Sequence, residues 1–356
     1  MSINNLIIWF VFLSCGLTII RTGGSRDRRG WAIVAAAILV VTVVLLYFAP
    51  KWASPISGSL WLILIVFPTV LLQWVNRLVY QQSYRKARML AECVRWLHPA
   101  DGLDRYPKLL YSLEMAQNGN MEAAREILSQ HQDLKTPEGR YAAMMLYRMD
   151  CQWDELLTWI RDRFPEKVLH KDPNLLMNYL RALGETGDLN SLVKELGKFE
   201  QSADKNKDPM SLNASRMTVL AFCGEVIFVK ALFSNQLKVY SQEISNFWIA
   251  TAEMAAGMEV EAKEKLIALN RSSDISMQKA IAWRLSHGSL SDRTLTDESK
   301  QILAQLETDL QHEESYGGAI KRTGKRVHAT YVLIGLNLLA FALEIGLGGN
   351  QYIEPI

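Results

Sequence analysis

The stretch Met115-Ala-Gln-Asn-Gly-Asn-Met-Glu-Ala-Ala-Arg-Glu-Ile-Leu128 decides how the middle of this chain is read. One helical pattern stops at Gly119 and another begins at once, with Ala124 five and Leu128 nine residues beyond the glycine. Glycine ends a helix in the left-handed conformation at little steric cost. A small residue one turn into the next helix lets the two helices approach closely, and the leucine a turn later fills the gap to the next pair. The plan returns in Leu183 to Leu196, with Gly187, Leu192 and Leu196, and in Glu253 to Leu266, with Gly257, Ala262 and Leu266. It recurs less cleanly in Leu220 to Phe233, with Gly224, Val229 and Phe233, and in Leu146 to Trp159, with Asp150, Glu155 and Trp159.

The turn residues recur at an average of about 34 to 35 residues, the length of a tetratricopeptide repeat. The middle of the chain, 81–326, is therefore expected to be a tetratricopeptide-like α-solenoid, and the whole protein to be all-α. Tyr80 to Leu97 reads as a helix continuing out of the apolar stretch before it, and Thr296-Asp-Glu opens a last amphipathic helix with Ile302, Leu303, Leu306 and Leu310 on one side. The polar stretch Gln201 to Ser211 reads as a loop between repeats. Solenoids of this kind bind proteins or peptides on a concave face. That supplies a class of partner, a cytoplasmic protein or peptide, without naming one.

Outside the repeats the chain is apolar. A bilayer core needs about 20 apolar residues in a helix, and residues 3–20, 31–48 and 58–80 meet that need, as does Ala329 to Leu347. The region 1–80 thus reads as three transmembrane helices, and 327–356 as a fourth with a short tail. Pro68 is expected to bend the third span. No positive side chain precedes the first span and no small-x-small site follows it, so it reads as an anchor rather than a cleaved signal.

Arg and Lys set the orientation. The loop from Arg21 to Gly30 holds four arginines against one aspartate, whereas Ala49 to Ser57 carries only Lys51. Arg77, Arg85, Lys86 and Arg88 follow the third span, and Lys321, Arg322, Lys325 and Arg326 precede the fourth. These clusters agree on one arrangement in a cell (inner) membrane: N-terminus out, repeat region cytoplasmic, C-terminal tail out.

The chemistry classes are mostly negative. A net charge of +2 with no basic, aromatic-interleaved stripe argues against nucleic acid. The four cysteines are far apart and the six histidines form no ligand-spaced pair, so neither a disulfide framework nor a metal site is expected. Gly23-Gly-Ser25 and Gly58-Ser59 are the nearest approaches to a nucleophile turn, and neither has a strand before it or a histidine to activate the serine. There is no phosphate-cradling loop or dinucleotide fingerprint, and no cofactor is expected. In the fourth span, the bland reading of Asn337 is a hydrogen bond to a neighbouring helix, and Glu344 falls near the outer end.

The fourth span carries a family likeness. Val327-His-Ala-Thr330-Tyr331-Val-Leu-Ile-Gly-Leu-Asn337-Leu-Leu-Ala-Phe341-Ala-Leu-Glu344 resembles the first core helix of rhomboid-family intramembrane serine proteases, through Thr330, Tyr331, Asn337, Phe341 and Glu344. Leading spans, a cytoplasmic repeat region and then this helix are also similar to the layout of N-terminally extended bacterial rhomboids. The family's Gly-x-Ser-Gly serine and its activating histidine have no counterpart in these 356 residues. The resemblance therefore implies the non-catalytic front portion of such a protease, inactive by itself, whose partner would be the remainder of a rhomboid core. The alternatives are a complete membrane-anchored scaffold, or a component of a transporter or channel. The last is disfavoured by the shortage of paired intramembrane charges.

Overall fold

The computed structural model describes residues 3–22, 29–97, 103–201, 208–271, 274–287 and 294–313, and every element among them is a helix. The proposed fourth span, with Thr330, Tyr331, Asn337, Phe341 and Glu344, lies outside the described residues. The chain divides into two units, 1–295 and 296–356. In the second, 297–313 is helical; Thr296 Oγ1 accepts from the Ser299 amide at 3.3 Å, and Leu303, Leu306 and Leu310 are buried.

The first unit opens with three helices long and apolar enough to cross a membrane. They are α1 (Ile3–Thr22), α2 (Arg29–Phe48) and a run over Pro50–Tyr80 made of α3 (Pro50–Trp61), a π-helical turn (Leu62–Val66) and α4 (Phe67–Tyr80). The loop expected over Ala49 to Ser57 shrinks to one non-helical residue, Ala49, because Pro50 fits the first position of a helix without losing a needed N–H. Within the run, the Phe67 amide reaches back five residues to the Leu62 carbonyl, widening the helix just before Pro68. Proline cannot donate to the carbonyl four residues back, that of Leu64; one residue on, the Thr69 hydroxyl donates to the Ile65 carbonyl at 2.7 Å. A π turn thus stands just before the proline at which a bend is expected.

α1, α2 and α3 pack on one another around Val11, Cys15, Ala35, Ile38 and Ile65. Trp61 Nε1 donates to Ser14 Oγ at 3.0 Å, and Phe10 meets the Trp61 ring edge-on. Such interhelical hydrogen bonds are the usual glue where water offers no competition. Trp9, Ile20, Ile33, Val40 and Phe48 stay largely exposed, the inverse of a soluble bundle.

After α4 the chain does not run on as one helix. Gln82 takes a left-handed φ of 56°, and α5 (Tyr84–Leu97) folds back along α4. Val75 shares a core cluster with Ala87, Ala91, Leu110 and Leu113, tying α4 and α5 to α6.

Five helix pairs follow: α6 (Tyr106–Gln117) with α7 (Met121–Ser129), α8 (Pro137–Met149) with α9 (Trp153–Arg163), and, after the short α10 (Glu166–Leu169), α11 (Pro173–Thr186) with α12 (Leu189–Gln201). Then come α13 (Pro209–Phe222) with α14 (Val226–Ser234), and α15 (Gln242–Ala255) with α16 (Glu259–Asn270). Each first helix packs on the first helix of the next pair. The start of the last pair meets the end of α4, where the Ser241 amide donates to the Tyr80 carbonyl at 3.2 Å and Tyr80 lies against Tyr240. A final helix, α17 (Ile275–Ser286), packs on α16 and α6.

The turns within the pairs share one geometry. Gly119, Gly187, Gly224 and Gly257 have φ between 78° and 87°. At each, the next residue's amide bonds the carbonyl five back: Asn120 to Met115, Asp188 to Leu183, Glu225 to Leu220 and Met258 to Glu253. This is the Schellman closure of a helix C-terminus. The second pair closes identically, with Gln152 bonding Tyr147, but its left-handed residue is Cys151 at φ 55°. Asp150, read from sequence as the turn residue, is one position early. With the register moved by one, Leu156 and Ile160 replace Glu155 and Trp159; Leu156 and Ile160 are buried, whereas Glu155 is exposed.

Candidate functional site

Ala124, Leu128, Leu192, Leu196, Val229, Phe233, Ala262 and Leu266 are all buried at the seams between helices. They build the scaffold and present no chemistry. What they position is the row of turns, and along that row lies α17.

α17 begins like a first helix of the array. The capping side chains Thr136, Asp172, Asp208, Ser241 and Asp274 each accept from the amide three residues on, and they are spaced 36, 36, 33 and 33 residues apart. Proline follows the first three caps, where its missing N–H costs nothing. Instead of extending the array, α17 turns back across four of its pairs, burying Met277, Ile281 and Arg284.

The contacts follow chain order. Gln117 Nε2 donates both to the Gln82 carbonyl, at 3.1 Å, and to Asp274 Oδ2, at 2.9 Å. A Cβ on Gly119 would lie 2.5 Å from Ile275 Cδ1, so that turn is bare where α17 crosses it. Lys279 Nζ sits 3.4 Å from the Met149 carbonyl and 3.6 Å from Asp150 Oδ1, at the second turn; Asp150 also pairs with Arg125. At the third pair, Trp283 Nε1 donates to Glu185 Oε2 at 3.1 Å, and Arg284 Nη2 lies 2.7 Å from the same oxygen. At the fourth, the Arg284 guanidinium covers the Phe222 ring at 4.9 Å.

Glu185 is the electrostatic centre of this seam. Its side chain is 1% exposed and that of Arg284 3%. Arg181, one turn earlier on α11, reaches Glu185 Oε1 at 3.4 Å and stands over Trp153, Trp248 and Phe247 at 5.0, 5.4 and 5.8 Å. Burial, and then the neighbouring charge of Arg148, lower its pKa to about 10, so it stays charged at neutral pH. Arg284 Nε and Nη2 make no aligned hydrogen bond, which leaves the α17 guanidinium held by charge rather than by a full donor set. A buried charge in that state is retained only while its counter-ion is present.

Two other groupings bring polar side chains together. Glu166, His170 and Glu195 bring three ligand atoms within 4.8 Å of one another. Pairing of histidines alone misses this trio, in which Glu166 opens α10 and His170 caps its end. Lys198 Nζ lies 3.1 Å from Glu166 and 2.8 Å from Glu195, so its ammonium stands beside the carboxylates as their cation. The hydrogen bonds to Glu195 and Glu166 push the Lys198 pKa up, and the Lys198 bond holds the Glu166 carboxyl below the usual range. Ser59 lines a hollow of about 310 Å³ with Ile7, Ser54, Pro55, Gly58, Leu62 and Ile63, and no histidine belongs to α1–α4 to activate it. Ser25 lies outside the described residues.

Comparison with protein-family models, with curated proteins and with solved structures returns no match.

Proposed function

We propose that this chain is a membrane-anchored, tetratricopeptide-like module that holds a cytoplasmic protein or peptide, and that it serves as the regulatory front portion of a rhomboid-like intramembrane serine protease. The observation that carries the first part is the set of five identically closed turns, with left-handed residues 32, 36, 37 and 33 apart. Those are tetratricopeptide-like intervals, and α5 packs on both α4 and α6, tying the array to the apolar helices. The second part rests on the likeness carried by Thr330, Tyr331, Asn337, Phe341 and Glu344. In this reading the chain contributes no catalytic residue, and a rhomboid core supplies the serine and histidine.

The seat of α17 indicates how a partner is held. It recognises an amphipathic helix by three things: an apolar strip, a cation over Asp150, and a Trp-Arg pair on Glu185. α17 is then an intrachain occupant of the partner's site. A labelled peptide with the sequence of 274–287 should bind the full-length Ile281→Asp variant, whose own α17 is unseated, at least tenfold more tightly than the wild type. Equal affinity for the two, or no binding to either, would remove this reading; a melting curve on the variant checks that the array remains folded.

Orientation follows the positive-inside rule, with the N-terminus and C-terminal tail outside and the array cytoplasmic. In an otherwise cysteine-free chain, Lys51→Cys should react with a membrane-impermeant thiol reagent in intact cells, and Glu261→Cys should not. Both positions are exposed. The opposite pattern would invert the topology.

A further inference from the structure

We propose that the outer face of α5 is a lipid-contacting surface, which dips into the bilayer interface and sets how close the helical array stands to the membrane. The inference rests on the reading that the leading helices cross a bilayer.

The geometry comes from the reversal at Gln82. α5 runs back along α4, so a residue a given number of positions after the turn stands level with the residue as many positions before it. Core packing checks this: Val75, seven before Gln82, clusters with Ala87 and Ala91, five and nine after it. By the same count Met89 is level with Val75, Cys93 with Leu71 and Trp96 with Pro68.

The third span loses its apolar character at Gln73, with Asn76 and Arg77 beyond it. Pro68 lies four residues inside the end of the apolar run at Leu72, about 6 Å at 1.5 Å per residue. The far end of α5 is therefore carried back to the level of hydrocarbon, and it cannot present an aqueous face there.

The side chains on its outer stripe match that placement. Arg85, Met89, Cys93 and Trp96 recur at helical spacing and all are exposed, Trp96 at 80% and Met89 at 57%. The opposite stripe, Ala87, Ala91 and Val94, is buried against the protein. Charge is graded along the helix: Arg85 and Lys86 stand exposed at the headgroup end, Glu92 is tied to Arg88 at 3.0 Å, and the deep end carries the indole. Tryptophan favours this depth, where its ring meets acyl chain and its N–H meets headgroups. Interfacial helices sink their apolar face about 5–10 Å, which agrees with the level reached by Trp96. Arg95 is long enough to carry its guanidinium back to the headgroups.

Cys93 gives a direct probe. The full chain, with Cys15 changed to Ala and Cys151 and Cys223 to Ser, would carry an NBD label on Cys93 alone. It would be reconstituted in 3:1 phosphatidylcholine/phosphatidylglycerol vesicles, with and without brominated acyl chains. Val40→Cys on α2 and Glu261→Cys on α16, each as the sole cysteine, serve as the spanning and aqueous references. The label at 93 should be quenched by brominated lipid at least half as strongly as that at 40, with blue-shifted emission, and adding Met89→Glu with Trp96→Glu should reduce that quenching at least twofold. Quenching at 40 with a label at 93 as unquenched as that at 261 would overturn the proposal and leave the spans intact. No quenching at 40 would overturn the spanning reading, and this proposal with it.

Discussion

Glu185→Ala should unfold the array about 10 °C below the wild-type midpoint, the largest drop expected from any single truncation. The carboxylate is the counter-ion of two guanidinium groups, Arg181 and Arg284, and accepts from the Trp283 indole as well. Removing one partner of a buried pair costs about 3–5 kcal/mol, since the remaining charge is left without compensation. For a domain of this size, each kcal/mol moves the midpoint by about 2–4 °C. The loss should be local in its structural effect: α17 depends on Glu185 through both Trp283 and Arg284, so limited proteolysis should cut first around α17. Replacing both charges, Glu185→Leu with Arg284→Leu, should recover more than half of the loss. Calorimetry or fluorescence melting in detergent measures all three chains. A midpoint for Glu185→Ala within 2 °C of the wild type would refute the assignment.

Gly184→Ala should destabilise the array by about 3 kcal/mol, the upper end of the cost of overpacking a core. The sign is the informative part. In an ordinary helix interior alanine is better than glycine by about 1 kcal/mol, so a neutral site would become more stable. Here an added Cβ would lie 2.1 Å from a carbon of the Phe222 ring. That ring cannot retreat: it is fully buried, it meets Trp248 at 5.8 Å, and the Arg284 guanidinium covers its face. Adding Phe222→Leu to Gly184→Ala should return at least 1 kcal/mol, because the branched side chain leaves space where the ring edge was. A Gly184→Ala protein that melts at or above the wild-type temperature would show that the close approach carries no constraint.

The hairpins were legible where the left-handed conformation selects its residue. Four of the five turns use glycine, which meets no penalty at positive φ, and those four set the period. The second turn was misplaced by one because nothing in a cysteine side chain advertises a φ of 55°. The capping pairs Thr136-Pro, Asp172-Pro and Asp208-Pro would have corrected it, since they mark helix starts independently of how the preceding helix ends. The reversal at Gln82 was read through as continuous helix because Gln81-Gln-Ser carries no glycine or proline. The apolar helices were legible from composition alone, apart from the start of the third at Pro50, where Lys51 and two serines disguise a helix as a loop. The seat of α17 was not legible. Its buried stripe includes an arginine, and its partners are far away in sequence: Trp283 meets Glu185 across 98 residues, and Gln117 meets Asp274 across 157. No local pattern encodes contacts at that range.

Those separations bear on the order in which the protein is made. Glu185 leaves the ribosome well before Trp283 and Arg284, and translation proceeds at about 5–20 residues per second. For roughly 5–20 s the growing chain therefore exposes Glu185 with Arg181 beside it but without the Trp283 and Arg284 groups that later cover it. By then the three apolar helices are already synthesised, so in the proposed topology the nascent array stands beside the membrane with its seam open. A separate helix of the α17 type, or a chaperone, meets this surface without competition only in that interval; every later ligand must contend with a competitor tethered to the same chain.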